Sequence, residues 1–363
     1  MKLERRAEPS RLMGYLSPLI AAGLMLVTGF VIFTFLGQNP LAAFHAFFVA
    51  PIDDLFGLGE LGLKAAPLML IAIGLAIGFR ANVWNIGAEG QLTIGAICGG
   101  GLALLFHDSQ SPWLLPAVLV LGALGGMAWA AIPAFLKVRF NANEILVSLM
   151  LVYVAQLLLS YLVHGPWRSP EGYNFPETRL FSDAALLPVL VSGTRLHAGL
   201  LIGLAAVVLG WIFMARTFTG YKMHVAGLAG AAANYAGFSQ KRIVWTGLLI
   251  GGAAAGLAGV GEAAGPIGQL LPSVSPGYGF SAIIVAFVGR LHAFGILLAS
   301  LLMALLFIGG ESAQINLGLP SAVTGVFQGL LLFFLLASDV FILFRIRFVR
   351  RARPALATSE ATP

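Results

Sequence analysis

The chain has 363 residues, of which 59% are hydrophobic, 10% are charged and 45 are glycine. A soluble domain carries about 25% charged residues, so this composition excludes a water-soluble globular protein and indicates an integral membrane protein. The net charge of +6 is better explained by membrane orientation than by nucleic-acid binding, because the sequence has no basic patch interleaved with aromatic residues. A single cysteine, Cys98, excludes an internal disulfide and a multi-cysteine metal centre.

Apolar runs near 20 residues predict membrane-spanning helices, because a helix rises about 1.5 Å per residue through a bilayer core about 30 Å thick. The segment between 280 and 309 is interrupted at Gly289-Arg290-Leu291-His292, which predicts two short or broken segments, 280–288 and 294–309. The predicted fold class is therefore an all-α, polytopic membrane protein with about ten segments within residues 15–344. The other spans are predicted at 15–36 (uncleaved), 61–79, 86–106, 113–136, 145–163, 197–215, 243–264 and 321–344.

The distribution of lysine and arginine predicts the orientation, because these residues are retained on the cytoplasmic side. With ten segments and the N-terminus inside, all but four of the 21 basic residues fall on that side. We therefore expect a protein of the bacterial cytoplasmic (inner) membrane with both termini inside. Residues 1–14 form a basic cytoplasmic segment in this scheme, and 345–363 form a tail that is basic to Arg353 and then disordered.

Two loops are distinctive. The outer loop 164–196 contains several prolines and aromatic residues and is expected to form a small ordered cap over the outer mouth. The inner loop 216–242 has four basic residues and no acidic one, and its alanine-rich centre, Ala229 to Tyr235, predicts a short helix that ends at Gly237.

No motif for catalysis is present. The nearest match to a phosphate-binding loop, Gly57 to Lys64, has Leu63 at the required lysine position. The sequence also lacks a serine nucleophile elbow and a metal-binding histidine pair. We therefore predict no catalytic residue, no metal site and no cofactor, and ATP hydrolysis, if it drives this protein, must reside on another chain.

The segment FRANVWNIGAEGQLTIGA places Asn82, Asn85, Glu89 and Gln91 within apolar sequence. An ionisable group in a bilayer costs several kcal/mol unless it faces the protein interior or water. These residues either form part of a translocation pathway or gate, or Glu89 pairs with Arg80 or a nearby helix end and stabilises the fold. This stretch and the one from Gly279 to His292 resemble the interrupted helices that transporters use at substrate sites.

Other polar and aromatic residues admit two interpretations each. Asn143 and Glu144 belong to the pathway or cap the start of a helix. Four residues near the outer mouth contact a polar solute or are ordinary interfacial residues: Glu262, Glu311, Gln314 and Asn316. Four aromatic residues near the interrupted segments stack on a base or serve in packing: Phe79, Trp84, Tyr278 and Phe280.

The strings NVWNIGAEGQ, NEILVSLML, AGLAGAAANYAGFS and PGYGFSAIIVAFVGR occur in this order. In combination they resemble the permease subunits of bacterial ABC importers, in the branch that includes ribose, branched-chain amino acid and especially nucleoside permeases. The resemblance extends from about Leu61 to Phe344. It implies cytoplasmic ATPase subunits, a second identical or similar permease chain, an extracytoplasmic solute-binding protein and membrane lipid as partners, with no nucleic acid.

In that family the inner loop between the central spans is a coupling helix that docks into the ATPase subunit. The positions that match its pattern here are Gly227, Ala232, Asn234, Ala236 and Gly237. Where the family's loop commonly has charged residues, this chain has LAGAAA at 228–233. A helix of small uncharged residues is consistent with close approach to another protein.

The expected function is therefore that of the permease subunit of an ATP-driven importer of a small polar solute. The preference for a nucleoside or sugar-like compound rests on the resemblance. The alternative is a secondary transporter driven by an ion gradient, which is disfavoured because the spans show no relay of acidic or histidine side chains beyond Glu89 and because the inner loop contains a docking-like helix. An integral-membrane enzyme would need a cluster of acid, base or metal ligands at one depth.

Overall fold

The computed structural model describes residues 2–6 and 10–347. Within this part of the chain, the long apolar stretches form α-helices. Two short strands, β1 (Lys2–Arg5) and β2 (Phe344–Arg347), lie near the ends of this part. The helices are α1 (Arg11–Phe35), α2 (Pro40–Phe44), α3 (Leu55–Arg80), α4 (Ala88–Leu105), α5 (Leu114–Phe140), α6 (Glu144–His164), α7 (Gly199–Arg216), α8 (Phe218–Leu228), α9 (Gly230–Tyr235), α10 (Gln240–Glu262), α11 (Tyr278–Val288), α12 (Ala293–Leu317) and α13 (Ala322–Leu343).

Within the described residues, nine helices are long and apolar enough to cross a membrane, namely α1, α3 to α7, α10, α12 and α13. Helix α11, with 11 residues, is short, as the sequence predicted for 280–288. These helices confirm the all-α, polytopic fold class.

The prediction that 294–309 is a second short segment is wrong, because α12 continues to Leu317 and has 25 residues. Polar residues interrupt the apolar run after 309, but Glu311 lies on the exposed side of the helix and binds Lys64 of α3 at 2.8 Å. A polar residue on an accessible face does not end a helix, so the hydropathy pattern underestimated its length.

Polar side chains determine where several helices begin. The Asp54 carboxylate accepts a hydrogen bond from the Gly57 amide at 2.6 Å at the start of α3. The Thr217 hydroxyl accepts one from the Gly220 amide at 3.0 Å at the start of α8. Such caps satisfy N–H groups that have no partner within the helix.

The larger of two compact units comprises residues 30–328, and α3 and α4 are its most buried long helices. Helices α4, α5 and α10 pack with their backbones in contact at glycines. A methyl group on Gly256 would lie 2.8 Å from the Gly126 Cα. The glycines at 122–126 and 252–256 therefore allow close helix packing.

The smaller unit comprises the described residues up to Gly29 and from Gly329 onward. Strand β1 pairs with β2 in antiparallel fashion, with Glu4 opposite Arg345, and the Arg345 guanidinium binds the Glu4 carboxylate at 3.0 Å. The Ser17 hydroxyl donates to Asp339. Part of the predicted basic N-terminal segment, and the start of the predicted tail at 345–347, are thus β-structure, whereas the tail after Arg353 lies outside the described residues.

Candidate functional site

A non-helical segment, residues 81–87, separates α3 from α4 and contains a buried amide pair. Asn85 donates to the Gln91 side-chain oxygen at 2.8 Å, and Gln91 donates back to the Asn85 oxygen at 3.0 Å. The same Asn85 oxygen accepts the Gly87 amide at 3.1 Å. The structure therefore brings Asn85 and Gln91 together, and they fix the turn into α4.

Glu89 lies in the first turn of α4 and is 3% exposed. Its carboxylate accepts a hydrogen bond from the backbone amide of Gly279, in the first turn of α11, at 2.6 Å. The Ser275 hydroxyl is a second partner. The sequence suggested that Glu89 pairs with Arg80 or with a nearby helix end. The observed partner is a helix end, the first turn of α11.

The N-terminal ends of α4 and α11 touch at this position. A methyl group on Gly279 would overlap the backbone of Glu89, so only glycine permits the contact. Each helix follows a non-helical segment, 81–87 before α4 and 268–277 before α11. The two stretches that the sequence predicted as interrupted helices therefore meet at a single junction, which we call the Glu89 junction.

Two serines in or beside the junction were missed by the sequence analysis. The Ser275 hydroxyl accepts the amides of Gly277 and Tyr278 at 3.0 and 2.8 Å and so caps α11. A serine three residues before an apolar run is a recognisable helix-start signal. Ser148 of α6 is buried and its hydroxyl accepts the Ile86 amide at 3.3 Å, but nothing in the sequence distinguishes it from other helical serines.

Asn143 and Glu144 start α6 and do not join the buried amide pair. The Asn143 side chain accepts the Ile145 and Leu146 amides at 2.9 and 3.4 Å. Lys137 at the end of α5 binds the Glu144 carboxylate at 2.9 Å. The capping interpretation is confirmed, and a role in the pathway remains a prediction.

Asn82 and three aromatic residues form a cluster at the other end of the 81–87 segment. Asn82 has a left-handed backbone (φ 58°) and is exposed, and its side-chain oxygen accepts the Trp84 indole N–H at 2.8 Å. Trp84 lies against Phe79, with ring centroids 5.1 Å apart, and stacks on Phe287 at 5.9 Å. Phe79 also stacks on Phe287, at 5.5 Å, so these rings are engaged in packing. Tyr278 is buried against Phe307.

The 216–242 loop contains two helices, α8 and α9, of which only α9 was predicted. The Gly237 amide donates to the Asn234 carbonyl at 3.0 Å and the Phe238 amide donates to the Ala233 carbonyl at 2.9 Å, with Gly237 at φ 77°. This is the Schellman arrangement that ends helices at glycine, and it confirms the predicted stop. The exposed side of the loop includes Ala232, Asn234, Ala236, Gly237 and Tyr235, the last 97% exposed.

Gly227 faces inward, unlike the other predicted loop positions. A side chain on Gly227 would overlap the backbone carbonyl of Arg80, where α3 ends. Around this contact, an apolar cluster joins α8 and α9 to α3, to the 81–87 segment and to α10. Its members include Ile77, Ala81, Val83, Met223, Ala226, Ala233 and Ile243. The loop is therefore packed directly on the segment that leads to the Glu89 junction.

A charged cluster lies at the other end of α3. Arg195 donates to both oxygens of the Glu60 carboxylate, at 2.8 and 2.6 Å, and this hydrogen-bonded partner raises the pKa of Arg195 above its usual range. Lys64 pairs with Glu311 as described above. Gln314 and Asn316 are exposed on the last turns of α12.

The segment 165–198, which corresponds to the predicted outer cap, contains one short helical turn, Asp183–Ala185, and otherwise little regular secondary structure. It is tied to residues 264–270 by backbone hydrogen bonds from Thr178 to Leu270, at 3.1 Å, and from Phe181 to Gly268, at 2.8 Å. Gln269 donates to the Glu177 carboxylate at 3.1 Å. Residues 165–198 therefore pack on the segment that follows α10.

Comparison with known proteins gives the family. Residues 57–336 match the family described as the permease component of branched-chain amino acid transport systems. The chain belongs to this permease family. The glucose ABC transporter permease protein of Haloferax volcanii is 37% identical, with 100% of this chain and 98% of the relative covered. The guanosine ABC transporter permease protein of Bacillus subtilis is 30% identical, with 93% and 96% covered, and the nucleoside ABC transporter permease protein of Lactococcus lactis is 28% identical, with 96% of each covered.

The permease also matches a second guanosine permease protein of Bacillus subtilis and a second nucleoside permease protein of Lactococcus lactis, over 65% and 69% of its length. No solved structure is significantly similar to it. The relatives are transport subunits and not enzymes, and this chain is accordingly the permease subunit of an ABC transporter. Within the described residues, no group of three His, Cys, Asp or Glu side chains is placed to bind a metal ion.

Proposed function

We propose that this permease carries an uncharged polar solute, a sugar or a nucleoside, into the cell as part of an ATP-driven importer. The relatives that resemble it over almost their whole length are named for glucose, guanosine and nucleosides. The observation that carries the proposal is the Glu89 junction, where two interrupted helices meet through buried polar groups.

The charge at this junction favours an uncharged solute. A helix N-terminus attracts anions because its N–H groups carry partial positive charge. The Glu89 carboxylate already occupies this end of α11, 2.6 Å from the Gly279 amide. An amino acid or a nucleotide would bring a second negative group to the same place, whereas hydroxyls and ring nitrogens can exchange hydrogen bonds with Asn85 and Gln91.

Both termini and the 216–242 loop are cytoplasmic in this proposal, in the inner membrane of a bacterial cell. The distribution of lysine and arginine supports this orientation. The 165–198 segment then lies on the outer side, where it receives the solute-binding protein. Membrane lipid surrounds the exposed apolar faces of the spanning helices.

The 216–242 loop docks on the cytoplasmic ATPase through its exposed positions, Ala232, Asn234, Ala236 and Gly237. When ATP brings the two ATPase subunits together, the loop moves, and the contact between Gly227 and the Arg80 carbonyl transmits this motion to Asn82 and the 81–87 segment. That segment leads into the first turn of α4, which contains Glu89, so the junction with α11 rearranges. The nucleotide shifts the equilibrium only through its different affinity for the two states. Asn143 and Glu144 lie at the inner mouth.

We infer that the second permease chain is a similar but distinct protein. Two relatives come from organisms in which a second permease protein with the same stated substrate also matches this chain, but over a smaller part of its length. Two such unequal matches are consistent with a heterodimer of a longer and a shorter permease.

Purification of the tagged permease from its host in mild detergent tests the assembly. We expect a cytoplasmic ATPase and a second permease to remain bound. The Ala232→Arg variant places a bulky charge on the exposed side of α9 and should lose the ATPase and solute uptake. The matched control, Gln110→Arg, adds the same charge to an exposed position of the loop between α4 and α5 and should retain both.

Three results would contradict the proposal. Full uptake by Ala232→Arg excludes this loop as the coupling element. Uptake in liposomes that continues without any ATPase, and collapses with the ion gradient, indicates a secondary transporter instead. Competition of uptake by unlabelled glucose or guanosine, but not by leucine, supports the uncharged solute class, and competition by leucine contradicts it.

A further inference from the structure

Helix α6 has an exposed polar face within its membrane-spanning length. Four polar side chains follow one another at spacings of three and four residues, so they share one side of the helix, next to the side that is buried against its neighbours. They are Tyr153, Gln156, Ser160 and His164, of which Ser160 is partly exposed and the other three are exposed. We call this side the polar face of α6.

Gln156 lies near the middle of its span, 12 residues from the start of α6 and eight from its end. In the other spanning helices that the structure describes, every exposed charged or amide side chain lies within six residues of a helix end. Neither the Gln156 amide nor the Tyr153 hydroxyl has a hydrogen-bond partner among the described residues. Polar side chains within a bilayer face protein or a water-filled cavity, because lipid cannot satisfy them. Lipid therefore does not cover this face.

The residue types of the polar face suit water and solute better than close contact with another helix. Helices that pack tightly in a membrane meet at small residues, as α5 and α10 do at Gly126 and Gly256. Tyr153, Gln156 and His164 have large side chains. The tyrosine hydroxyl and the glutamine amide can each donate and accept hydrogen bonds, which is what an uncharged polar solute requires of a surface that it passes.

The polar face begins beside the Glu89 junction. A methyl group on Gly90, in the first turn of α4, would lie 2.8 Å from the Val152 Cα, so the two helices touch at this level. Tyr153 follows Val152, and the polar side chains continue from there to the end of α6, where the 165–198 segment begins. Towards the start of α6 the exposed side chains are apolar, namely Ile145, Leu146 and Met150. The face is thus polar in only one half of the span, between the junction and the 165–198 segment.

We propose that the polar face of α6 lines a water-filled path for the solute, which runs from the outer surface to the level of the Glu89 junction. Tyr153 and Gln156 exchange hydrogen bonds with the hydroxyls or ring nitrogens of the solute and contribute to its selection. The second permease proposed above supplies the opposite wall, because a path open on one side would fill with lipid. The inference rests on the proposed function, and the experiment separates the two.

Thiol labelling tests whether water reaches this face. In the Cys98→Ala background, Gln156→Cys is compared with Val154→Cys in the assembled complex, with and without ATP. Val154 is 50% exposed and lies about 200° around the helix from Gln156, on the side that lipid covers. A membrane-impermeant thiol reagent added on the outer side should label Gln156→Cys in at least one nucleotide state. We expect it to react on the order of tenfold faster than Val154→Cys, because the reactive thiolate forms in water and not in an apolar environment.

A Gln156→Cys variant that stays unlabelled in both states, or reacts no faster than Val154→Cys, overturns the inference, because lipid or tightly packed protein then covers the face. Uptake of glucose and guanosine is measured on the same preparations. ATP-driven uptake by a complex with unlabelled Gln156→Cys shows that the inference fails while the proposed function stands. Uptake that needs no ATP contradicts the proposed function, whereas labelling of Gln156→Cys in that complex still supports a solute path along α6.

Uptake kinetics test whether Gln156 contacts the solute. Gln156→Leu removes the amide at similar volume, so KM for whichever of the two solutes is taken up should rise several-fold. Gln156→Asn keeps an amide and should lie between this variant and the wild type. Val154→Leu is the matched control and should leave KM unchanged. Equal melting temperatures of the purified complexes exclude a merely structural effect, and an unchanged KM in Gln156→Leu overturns the contact.

Discussion

The Glu89 carboxylate, at the start of α4, accepts the hydrogen bond that the Gly279 amide, at the start of α11, would otherwise donate to water. A hydrogen bond to a charged group contributes about 1.5–3 kcal/mol. We expect Glu89→Ala to lower the free energy of unfolding by this amount and to reduce uptake, because the N–H groups of α11 lose their partner. Glu89→Gln keeps an acceptor oxygen, so its free energy of unfolding and its uptake should lie between those of Glu89→Ala and the wild type.

Thermal unfolding in detergent measures the effect, with Glu171→Ala as the control, since Glu171 is exposed in the 165–198 segment. Equal melting temperatures for Glu89→Ala and Glu171→Ala would show that the junction does not stabilise the fold.

His197 makes the stability of the fold depend on pH. Burial lowers the pKa of His197 from 6.5 to about 4. As the pH falls, the unfolded chain takes up a proton near 6.5 while the folded chain does so only near 4. Stability is therefore intact above pH 6.5, declines below it and has lost on the order of 3 kcal/mol near pH 4. The effect of His197 is isolated by comparing the wild type with a variant that changes only this residue. Both proteins keep the same charged groups in this region, namely Glu60, Lys64, Arg195, Glu262 and Glu311.

The comparison uses His197→Asn, because the asparagine oxygen can replace Nδ1 as acceptor for the Gly199 amide but does not titrate. The wild type should lose more stability than this variant between pH 6.5 and 4. Parallel pH profiles for the two proteins would contradict the assignment.

At the scale of elements, adding one methyl group at Gly227 tests the contact between α8 and the end of α3. Gly227→Ala must push the loop away from the Arg80 carbonyl, because the methyl group would overlap it. We expect ATP hydrolysis to continue while uptake falls several-fold. Gly230→Ala, at the start of α9, is the control, because its nearest neighbour is the flexible end of Gln240 at 3.8 Å.

Reconstituted complexes with both variants allow ATP hydrolysis and uptake to be measured on the same preparation. Coupled transport by Gly227→Ala, equal to that of Gly230→Ala, would exclude this contact as the route of transmission.

The sequence predicted the existence and the ends of some helices better than those of others. Helix α9 follows from its alanines and the glycine stop, both of which act locally. Helix α8 was missed because it is an 11-residue helix whose partly polar sequence, FTGYKMHVAGL, gives no clear apolar run. The predicted end of helix α12 came too early because Glu311 pairs with Lys64 on α3, and hydropathy cannot reveal such a partner.

At the scale of the whole molecule, the orientation has a direct test because the chain has one cysteine, Cys98. In a Cys98→Ala background, a cysteine replaces either Tyr235 in α9 or Tyr173 in the 165–198 segment, residues that are 97% and 95% exposed. A membrane-impermeant thiol reagent should label Tyr173→Cys in intact cells. It should label Tyr235→Cys only after the membrane is permeabilised.

Labelling of Tyr235→Cys in intact cells would invert the topology and remove the basis for a cytoplasmic coupling loop. Labelling of both positions in permeabilised cells is the control that each cysteine is reactive.

The sequence by itself determined that the protein lies in a membrane, where most of its spans are, that Asn143 can cap a helix and that Gly237 ends one, because these depend on composition and on neighbours within a few positions. Only the tertiary structure decided that Glu89 binds Gly279, 190 positions away, and that Gly227 lies on Arg80. The physical reason is that helices apolar on every side carry little amphipathic signal, so their sequences do not state which faces meet. The partners of the few buried polar groups are chosen by helix packing, and packing at this junction depends on a glycine that lets two helix ends touch.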